Sequence, residues 1–316
     1  MPESRGESWQ FCYKGSAGSV TEGVGTDCNP LQTTGMIGVG MRLLACLQSD
    51  GMFKGSGRAF LSAFLMTIIA GNAFGAPPFI TEDADPLGKG TSQVELWYTR
   101  STDKETVDGS TVKVDRNLPG ATFGYGVADP LDLTLGFARE WDKVTVDGAS
   151  SNDPGSALFT ISTKWRFYEN EKTGYRFAVK PLAGYSYLVG GTSDDHTVSL
   201  GGWILATKEH DSFAVTLNVG YFYNKYGSAA DRDASRSGIW IVSALATYEV
   251  LKGLKLGFDL GASTNKDRAD STLPAYALAG AIYTLNGNVD LGLGLKFGIT
   301  KPEPDFSGTA GVTIKF

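Results

Sequence analysis

The sequence predicts an all-β fold, specifically a transmembrane up-and-down antiparallel β-barrel of about twelve strands. Three observations predict it: side chains alternate between apolar and polar, most of the alternating runs are about 10 to 16 residues long, and short turns alternate with longer polar connections. A tilted strand needs about 9–11 residues to cross a bilayer, whereas strands of soluble sheets average about 5–6 residues. The run lengths therefore favour a membrane barrel over a soluble sandwich or lipocalin-like barrel.

The composition agrees with a strand-rich chain that binds no nucleic acid. The 316 residues include 41 Gly, 17 Phe, 13 Tyr and 6 Trp but only 12 Pro, so the glycines are not part of a Gly/Pro-rich linker. A net charge of −6 gives no electrostatic reason to expect nucleic acid or an anionic membrane surface as a partner.

The first 75 residues read as a leader that precedes the barrel. Residues 52–75 combine two basic residues, an apolar stretch of about 12 residues and the small residues Ala73 and Gly75, the pattern of a secretory signal peptide cleaved at or next to Gly75. The apolar stretch is too short to span a bilayer as a helix. Residues 1–51 contain all three cysteines and show no sustained period. We interpret them as an upstream misassignment of the start or a disordered extension, with a genuine domain as the alternative. The expected organisation is then a periplasmic N-terminal segment over 76–90 and the barrel over 91–316.

The strands follow from the period of two, which a strand with one apolar face and one polar face produces. The clearest run, 289–299, places Val, Leu, Phe and Ile at odd positions and Asp, Gly and Lys at even ones. Counting such runs predicts strands near 91–102, 112–127, 131–144, 156–169, 174–190, 196–208, 211–226, 238–250, 254–265, 273–285, 288–300 and 306–316.

The connections predict the orientation of the barrel. Short turns are predicted at 128–131, 169–173, 208–211, 251–253 and Asn286-Gly287, the last being a strong two-residue hairpin signal. Outer-membrane barrels have short periplasmic turns and long outer loops, so an even strand count places both chain ends in the periplasm. Apolar side chains would then face lipid, and polar ones the lumen. Aromatic residues suited to the two interfacial girdles are Trp97, Tyr98, Trp141, Trp165, Phe167, Tyr185, Tyr187, Tyr221, Tyr223 and Tyr283.

The last strand ends on an aromatic residue, Phe316, after alternating apolar positions. This ending resembles the C-terminal signature by which the barrel-assembly machinery recognises bacterial outer-membrane barrels. The resemblance implies that Phe316 is an assembly signal.

Residues 77–98 carry a second resemblance, which names a family. Their sequence, PPFITEDADPLGKGTSQVELWY, is similar to the opening of the bacterial family labelled for the putative MetA pathway of phenol degradation. The matching positions are Pro78, Phe79, Thr81, Glu82, Asp83, Gly88, Lys89, Gly90 and Glu95. The resemblance implies an outer-membrane barrel of transport type over residues 77–316, associated by name with aromatic catabolism.

The opening segment has two interpretations. The simpler one is a tether that joins the cleavage site to the first strand. The alternative is that its acids, Glu82, Asp83 and Asp85, fold into the periplasmic mouth and narrow or gate it.

The predicted inward faces carry charged side chains that are candidates for lining the lumen. In KWRFY and YRFAVK, two neighbouring strands place four bases inward, which predicts one cationic strip faced by acids on other strands. These charges either pair across a narrow lumen and fill it, or create a transverse field that orients a small polar or anionic solute. The candidates are Asp132, Glu140, Lys164, Arg166, Arg176, Lys180, Asp259, Asp290 and Lys296, and the same period also places Glu95, Lys255 and Lys315 inward.

Enzymatic and cofactor functions receive little support. The chain has two histidines, His196 and His210. Although EHDS (209–212) contains the residue types of a serine hydrolase, sequence neighbours on a tight turn point apart and cannot form a catalytic triad. His196 with Asp194 and Asp195 would be a poor metal site. The glycines near the C-terminus fall at alternate strand positions with no following helix, so they form no phosphate loop. Pro181 should cause a bulge or a break in its strand.

These observations predict a non-enzymatic channel or transporter of the bacterial outer membrane, with no cofactor and no metal. It would pass small solutes by diffusion through a charged lumen, with aromatic or hydrophobic compounds suggested by the family's name. Its partners would be outer-membrane lipid, the barrel-assembly machinery and the solute. The alternatives are a structural or surface-interaction barrel with a blocked lumen and, less favoured, an outer-membrane hydrolase.

Overall fold

The structure, a computed structural model, describes residues 77–107 and 109–316. The predictions for residues 1–51 and 52–75 lie outside the described residues. Within the described ranges, no helix has the length and apolar character needed to cross a membrane.

Twelve antiparallel strands form a closed barrel, as predicted. Each barrel strand pairs with the barrel strands before and after it along the chain, and the first strand pairs with both the second and the last, which closes the ring. The barrel strands are β1 (Ser92–Val107), β2 (Ser110–Ala128), β3 (Leu131–Arg139), β6 (Ser156–Asn170), β7 (Tyr175–Leu188), β8 (His196–His210), β9 (Phe213–Tyr226), β10 (Gly238–Leu251), β11 (Leu254–Ser263), β12 (Ala275–Asn286), β13 (Val289–Gly298) and β14 (Phe306–Lys315).

One predicted strand is divided in the structure. The run predicted over 131–144 ends as a barrel strand at Arg139, and a separate hairpin follows, β4 (Trp141–Val146) and β5 (Ala149–Asp153). β4 pairs with the outer part of β2, from Val112 to Asn117, beyond the last residues of β2 that pair with β3. The apolar–polar alternation continues through Glu140 because β3 and β4 are both strands. The sequence period therefore does not mark where β3 ends and β4 begins.

The predicted turns lie together at one end of the barrel, which we call the turn end. The start of β1 and the end of the chain after β14 also lie at the turn end. There the Phe316 amide donates to the Ser92 carbonyl oxygen, and the Ser92 amide donates to the Phe316 carbonyl oxygen. The longer connections and the β4–β5 hairpin lie at the opposite end, which we call the loop end. A short helix, α1 (Ala229–Ala234), lies in the connection between β9 and β10.

The two faces of the wall are inverted relative to a soluble protein. Large apolar side chains are exposed on the outside, whereas charged and polar side chains are buried on the inside. Nine of the ten aromatics proposed for the girdles are among the exposed residues. Trp97 is the exception: it follows Glu95 on the inward face, and its ring covers Gly120 of β2. The outward belt of apolar side chains is the surface that a lipid bilayer would solvate.

The ladder is interrupted beside Pro181, although β7 itself continues. Pro181 keeps its register with Gly202 of β8. On the β6 side, the ladder omits a partner for Pro181 and shifts register between Arg166 and Tyr168. The missing amide donor therefore affects one side of the strand only.

The packed interior lies inside the barrel, where side chains of the wall meet residues of the opening segment. The largest cluster joins Ala84 to buried apolar side chains of β7, β8, β9 and β10. A second cluster joins Phe79 and Ile80 to β10 and β12. The fold thus places the residues before β1 in the lumen.

Candidate functional site

Residues 77–90, which we call the inner segment, run along the inside of the wall near the turn end. The segment begins against β13 and β14, passes β12, β11 and β10, and reaches β8, β7, β6, β3 and finally β2. The contacts of Glu82 and Asp85 with the wall agree with the second interpretation of the opening segment, in which its acids fold into the mouth. The periplasmic location of residues 76–90 stays a prediction. Local sequence could not decide between the two interpretations, because the hydrogen-bond partners of the segment lie up to 179 residues away.

Glycines of the wall make room for the inner segment. A Cβ atom at any of seven inward positions would come within 3.0 Å of an atom of the segment, so the wall is contoured for it. We call these residues the glycine bed: Gly124, Gly126, Gly257, Gly280, Gly292, Gly294 and Gly311. Much of the unusual glycine content of the inward faces thus serves close approach of the segment.

Replacing Gly257 with Val is expected to displace the inner segment without changing any charge. An added Cβ would lie 2.3 Å from Cζ of Phe79, so the ring must leave its position. We expect a faster rate of proteolytic cleavage within residues 77–90 and a higher channel conductance. Gly308→Val is the matched control, because its Cβ meets nothing within 4 Å. Equal cleavage rates in both variants would contradict a fitted glycine bed.

The four predicted bases do lie together, and we call Lys164, Arg166, Arg176 and Lys180 the base wall. Nζ of Lys164 lies 2.8 Å from Oε1 of Glu82, and the other oxygen of that carboxylate binds Nζ of Lys180. Arg166 and Arg176 approach the two oxygens of Asp85 at 3.0 and 3.3 Å. Both lysines and Glu82 are buried.

The partners of the base wall differ from those expected. We expected acids of other strands to face the bases, but Glu82, Asp83 and Asp85 of the inner segment do so. Asp132 lies directly opposite Lys164 in the β3–β6 ladder. Its carboxylate accepts hydrogen bonds from the backbone amides of Leu87 and Lys164. Glu169 and Glu209 of the wall also bind Arg166 and Arg176, so the segment chiefly neutralises the two lysines.

Asp259 anchors the segment from the other side of the lumen. Its Oδ2 accepts the amides of Ile80 and Thr81 at 2.9 Å, and its Oδ1 accepts the hydroxyl of Thr81 at 2.7 Å. The Thr81 hydroxyl oxygen also lies 2.8 Å from that of Ser243.

Burial raises the pKa of the Asp85 carboxyl, and the nearby Asp83 raises it further, while Arg166 and Arg176 lower it. Charge pairing and backbone hydrogen bonds therefore hold the segment at two separated places.

The remaining predicted lumen residues pair locally and do not join the base wall. Glu140 lies at the loop end, 3.4 Å from Nε of Arg116, which Asp142 also binds. Asp290 binds Lys315 at 2.8 Å near the turn end. Lys296 binds Glu303, and Glu95 accepts hydrogen bonds from Gln93 and Thr122. The exposed Lys255 completes the predicted set.

Most residues of the family-like opening contact the wall. Pro78 packs near Gly280 and Gly294, and Phe79 covers Gly257. The carbonyl oxygen of Gly88 approaches Gly126, and the amide of Gly90 donates to the Gly126 carbonyl at 2.8 Å. Thr81 and Glu82 make the contacts described above, while Asp83 is mostly exposed and lies 3.6 Å from Lys164. The exposed Phe316 closes the strand ladder against Ser92, and its role as an assembly signal remains a prediction.

Sequence reasoning missed a lysine at the loop end whose amino group is buried. Lys266 lies in the connection between β11 and β12, and its Nζ is 4.9 Å from the centre of the Tyr226 ring. Among the described residues, no hydrogen-bond acceptor reaches this buried Nζ. Burial lowers the pKa of Lys266 to about 7, and the carboxylates of Asp231 and Glu140 oppose this shift only partly. Arg236 holds the connection in place through the carbonyl oxygens of Asn265, Asp267 and Asp270.

Replacing Lys266 with Met is expected to stabilise the barrel more at about pH 6 than at about pH 9. The pKa falls from 10.5 to about 7 on folding, so the folded state binds fewer protons and stability declines as pH decreases across that interval. Met removes this cost and should raise the thermal unfolding temperature in detergent by a few degrees at the lower pH. Lys172→Met, in an exposed turn, is the control. An identical gain at both pH values would contradict the assignment.

The histidines are the first and last residues of β8; His196 is half-buried and His210 is exposed. His210 and Asp211 are 3.5 Å apart, and both side chains are more than 80% exposed. Nδ1 of His196 contacts the carbonyl oxygen of Ser193, while the Asp195 carboxylate accepts a hydrogen bond from the backbone amide of Thr192. Within residues 77–107 and 109–316, no three or more His, Cys, Asp or Glu side chains are grouped to hold a metal ion.

Comparison with known proteins assigns the fold to outer-membrane barrels. The family described as "Putative MetA-pathway of phenol degradation" matches residues 80–316. The COG4313 outer membrane channel from Pseudomonas putida F1 superposes with a TM-score of 0.54 at 16% identity, over 74% of this chain and 98% of that one. The KdgM porin gives a TM-score of 0.45 at 11% identity, over 71% and 99% of the respective chains. No curated protein matches the sequence. At these identities, the structural likeness concerns the fold alone.

Proposed function

The chain belongs to the family described as "Putative MetA-pathway of phenol degradation", and from that premise we propose that it passes small solutes across the bacterial outer membrane. The turn end would face the periplasm and the loop end the exterior. Solutes, including aromatic or hydrophobic compounds, would diffuse through the lumen without a cofactor or catalysis. Fold and family support a channel, and the charged inner wall supports a path for solutes that are at least partly polar.

One observation carries this proposal: the lumen is occupied by a segment that noncovalent contacts hold in place. Ion pairs to the base wall and hydrogen bonds to Asp259 hold residues 80–85, and both kinds of contact are reversible. A barrel with only a structural role would gain more stability from an apolar filling, because buried ion pairs are often no better than apolar packing. The inner segment is therefore proposed as a removable constriction.

A second candidate function follows from the same segment. If residues 77–90 never leave the wall, the barrel is a structural or surface-interaction protein with a blocked lumen. Conductance of the purified chain in a planar lipid bilayer distinguishes the two. Discrete current steps above the lipid background are expected for the channel, and their absence under all voltages and salts would favour the blocked barrel.

Solute preference is tested in cells. A strain that lacks the gene is compared with its parent for growth on aromatic acids, phenols and alkanes at limiting concentration. Slower growth of the deletion strain on aromatic compounds is expected. Equal growth on all three classes would remove the aromatic assignment. If an esterase activity accompanies the protein, the double variant His196→Ala, His210→Ala tests the hydrolase alternative, and we expect that activity to be unchanged.

A further inference from the structure

The Glu82 carboxylate occupies a receptor that the wall itself supplies. Lys164 and Lys180 stand on adjacent strands, and both direct Nζ at this one carboxylate. The lysines belong to the wall and the carboxylate to the segment, so departure of the segment leaves two buried ammonium groups facing an empty position. Two ammonium groups without their carboxylate would favour another anion there.

An apolar surface adjoins this receptor. Lys180 is directly opposite Trp203 in the β7–β8 ladder, so both side chains project from neighbouring points of the inner wall. Trp203 and Phe222 pack edge to face at 5.3 Å within the buried cluster of β7–β10. Ala84, two residues after Glu82, is the segment's member of that cluster and is fully buried. The segment thus presents a carboxylate to the lysines and a methyl group to the aromatic surface.

Part of this surface has unused hydrogen-bonding capacity. Nε1 of Trp203 and both amide atoms of Asn218 are buried, and among the described residues they have no hydrogen-bond partner. Asn218 is opposite Leu205 of the apolar cluster and opposite Ser243, which contacts Thr81 of the segment. Buried polar groups are rarely left unpaired, so the inner segment matches this part of the wall less completely than a ligand could.

We propose that the wall around Lys164, Lys180 and Trp203 binds small aromatic carboxylates, and that Glu82 and Ala84 occupy this site as an internal mimic of the ligand. The proposal rests on the proposed function, because the solute must reach the lumen to bind. The ligand's carboxylate would replace that of Glu82 between the lysines, and its ring would replace the methyl group of Ala84 against Trp203 and Phe222. Binding of the ligand and docking of the segment exclude each other, so a bound solute would release the segment from the wall.

The ring is necessary for this competition. The segment is tethered to β1, which gives its carboxylate a millimolar effective concentration at the lysines. A simple carboxylate such as acetate offers the same ion pairs without this advantage. An aromatic ring adds apolar contact that a methyl group cannot supply, and that contact allows the free ligand to compete.

Thiol labelling measures release of the segment in the full chain. Cys12, Cys28 and Cys46 are replaced with Ser, and Ala84→Cys supplies the reporter. Millimolar benzoate is expected to accelerate maleimide labelling about tenfold, which corresponds to about 1.4 kcal/mol. Benzyl alcohol, with the ring but no charge, and acetate, with the charge but no ring, should leave the rate nearly unchanged. A reporter at the exposed Ala269 controls for reagent effects. Benzoate no more effective than acetate would overturn the proposal.

Direct binding provides a second measurement. Calorimetric titration with benzoate is done in a Glu82→Gln parent, whose segment no longer competes for the lysines through a carboxylate. Adding Lys180→Gln to this parent should weaken the benzoate affinity about tenfold, because one charge-assisted contact is lost. Lys255→Gln removes another inward lysine and should keep the parent affinity. Equal affinity in both variants would overturn the site. Conductance in potassium chloride separates this result from the proposed function: a conducting barrel that fails to bind benzoate refutes the site alone, whereas benzoate binding without conductance supports the site and refutes the channel.

Discussion

A chain that carries Glu82→Gln and Asp85→Asn together is expected to show several-fold higher conductance in planar bilayers than the parent. The two substitutions remove the carboxylates that bind all four residues of the base wall, while side-chain size changes little. Arg166 and Arg176 keep Glu169 and Glu209, but Lys164 and Lys180 lose the carboxylate that they share. Water and anions can solvate these two buried ammonium groups only if the segment moves away. The same change should increase the preference of the channel for anions over cations.

The matched control is Glu171→Gln with Asp233→Asn, which makes the same chemical changes at exposed positions outside the lumen. Its conductance and ion preference should equal those of the parent. Heat-induced unfolding measured on both double variants shows that each barrel is assembled. Parent-like conductance in an assembled Glu82→Gln, Asp85→Asn barrel would show that the ion pairs do not hold the segment in the lumen.

The barrel could be predicted from the sequence because its determinants are local. A period of two assigns the face of each residue, run length separates a membrane strand from a soluble one, and polar turn residues mark the hairpins. The 289–299 run alone places Asp290 and Lys296 on the inward face, where they form ion pairs with Lys315 and Glu303. The strand count followed because each run became one barrel strand, apart from the run that β3 and β4 share.

The partners of the inward charges could not be predicted in the same way. A period assigns a face but not the group that meets it across a lumen, and residues 77–90 have no period of their own. The contacts Lys180–Glu82 and Asp259–Thr81 join residues 98 and 178 apart in sequence. A signal was nevertheless present: glycines at inward positions of several strands, together with an unpatterned acidic segment before β1, indicate a wall that accommodates a chain. The glycine bed supplies the missing connection.

Lys266 and Arg116 illustrate a different limit. Both residues lie at the loop end, where the strand period ends or extends beyond the barrel, and their burial depends on how the connections fold over the mouth. Arg116 follows the β2 pattern but meets Glu140 and Asp142 only because the β4–β5 hairpin returns against β2. Nothing in the local sequence marks Lys266 as buried, and its neighbours in the chain are polar.

Reversing the charge of one residue in the inner segment should have the largest effect on a single contact. Glu82→Lys brings a third ammonium group against Lys164 and Lys180, which already share one carboxylate. Like charges in a buried site repel strongly, so the segment is expected to leave the wall in nearly all molecules. The open-channel conductance should therefore persist without the closures expected of the parent, and proteolytic cleavage within residues 77–90 should become rapid.

Adding Lys180→Glu to this variant should restore the closed state. The combined variant again holds two ammonium groups and one carboxylate, with the carboxylate now on β7 and one of the ammonium groups on the segment. Lys180→Glu alone places a second carboxylate beside Glu82 and should also release the segment. Each single change thus opens the channel and the pair closes it, a non-additive pattern expected only of residues in direct contact. Conductance of the double variant as high as that of Glu82→Lys would mean that position 82 acts through something other than its pairing with Lys180.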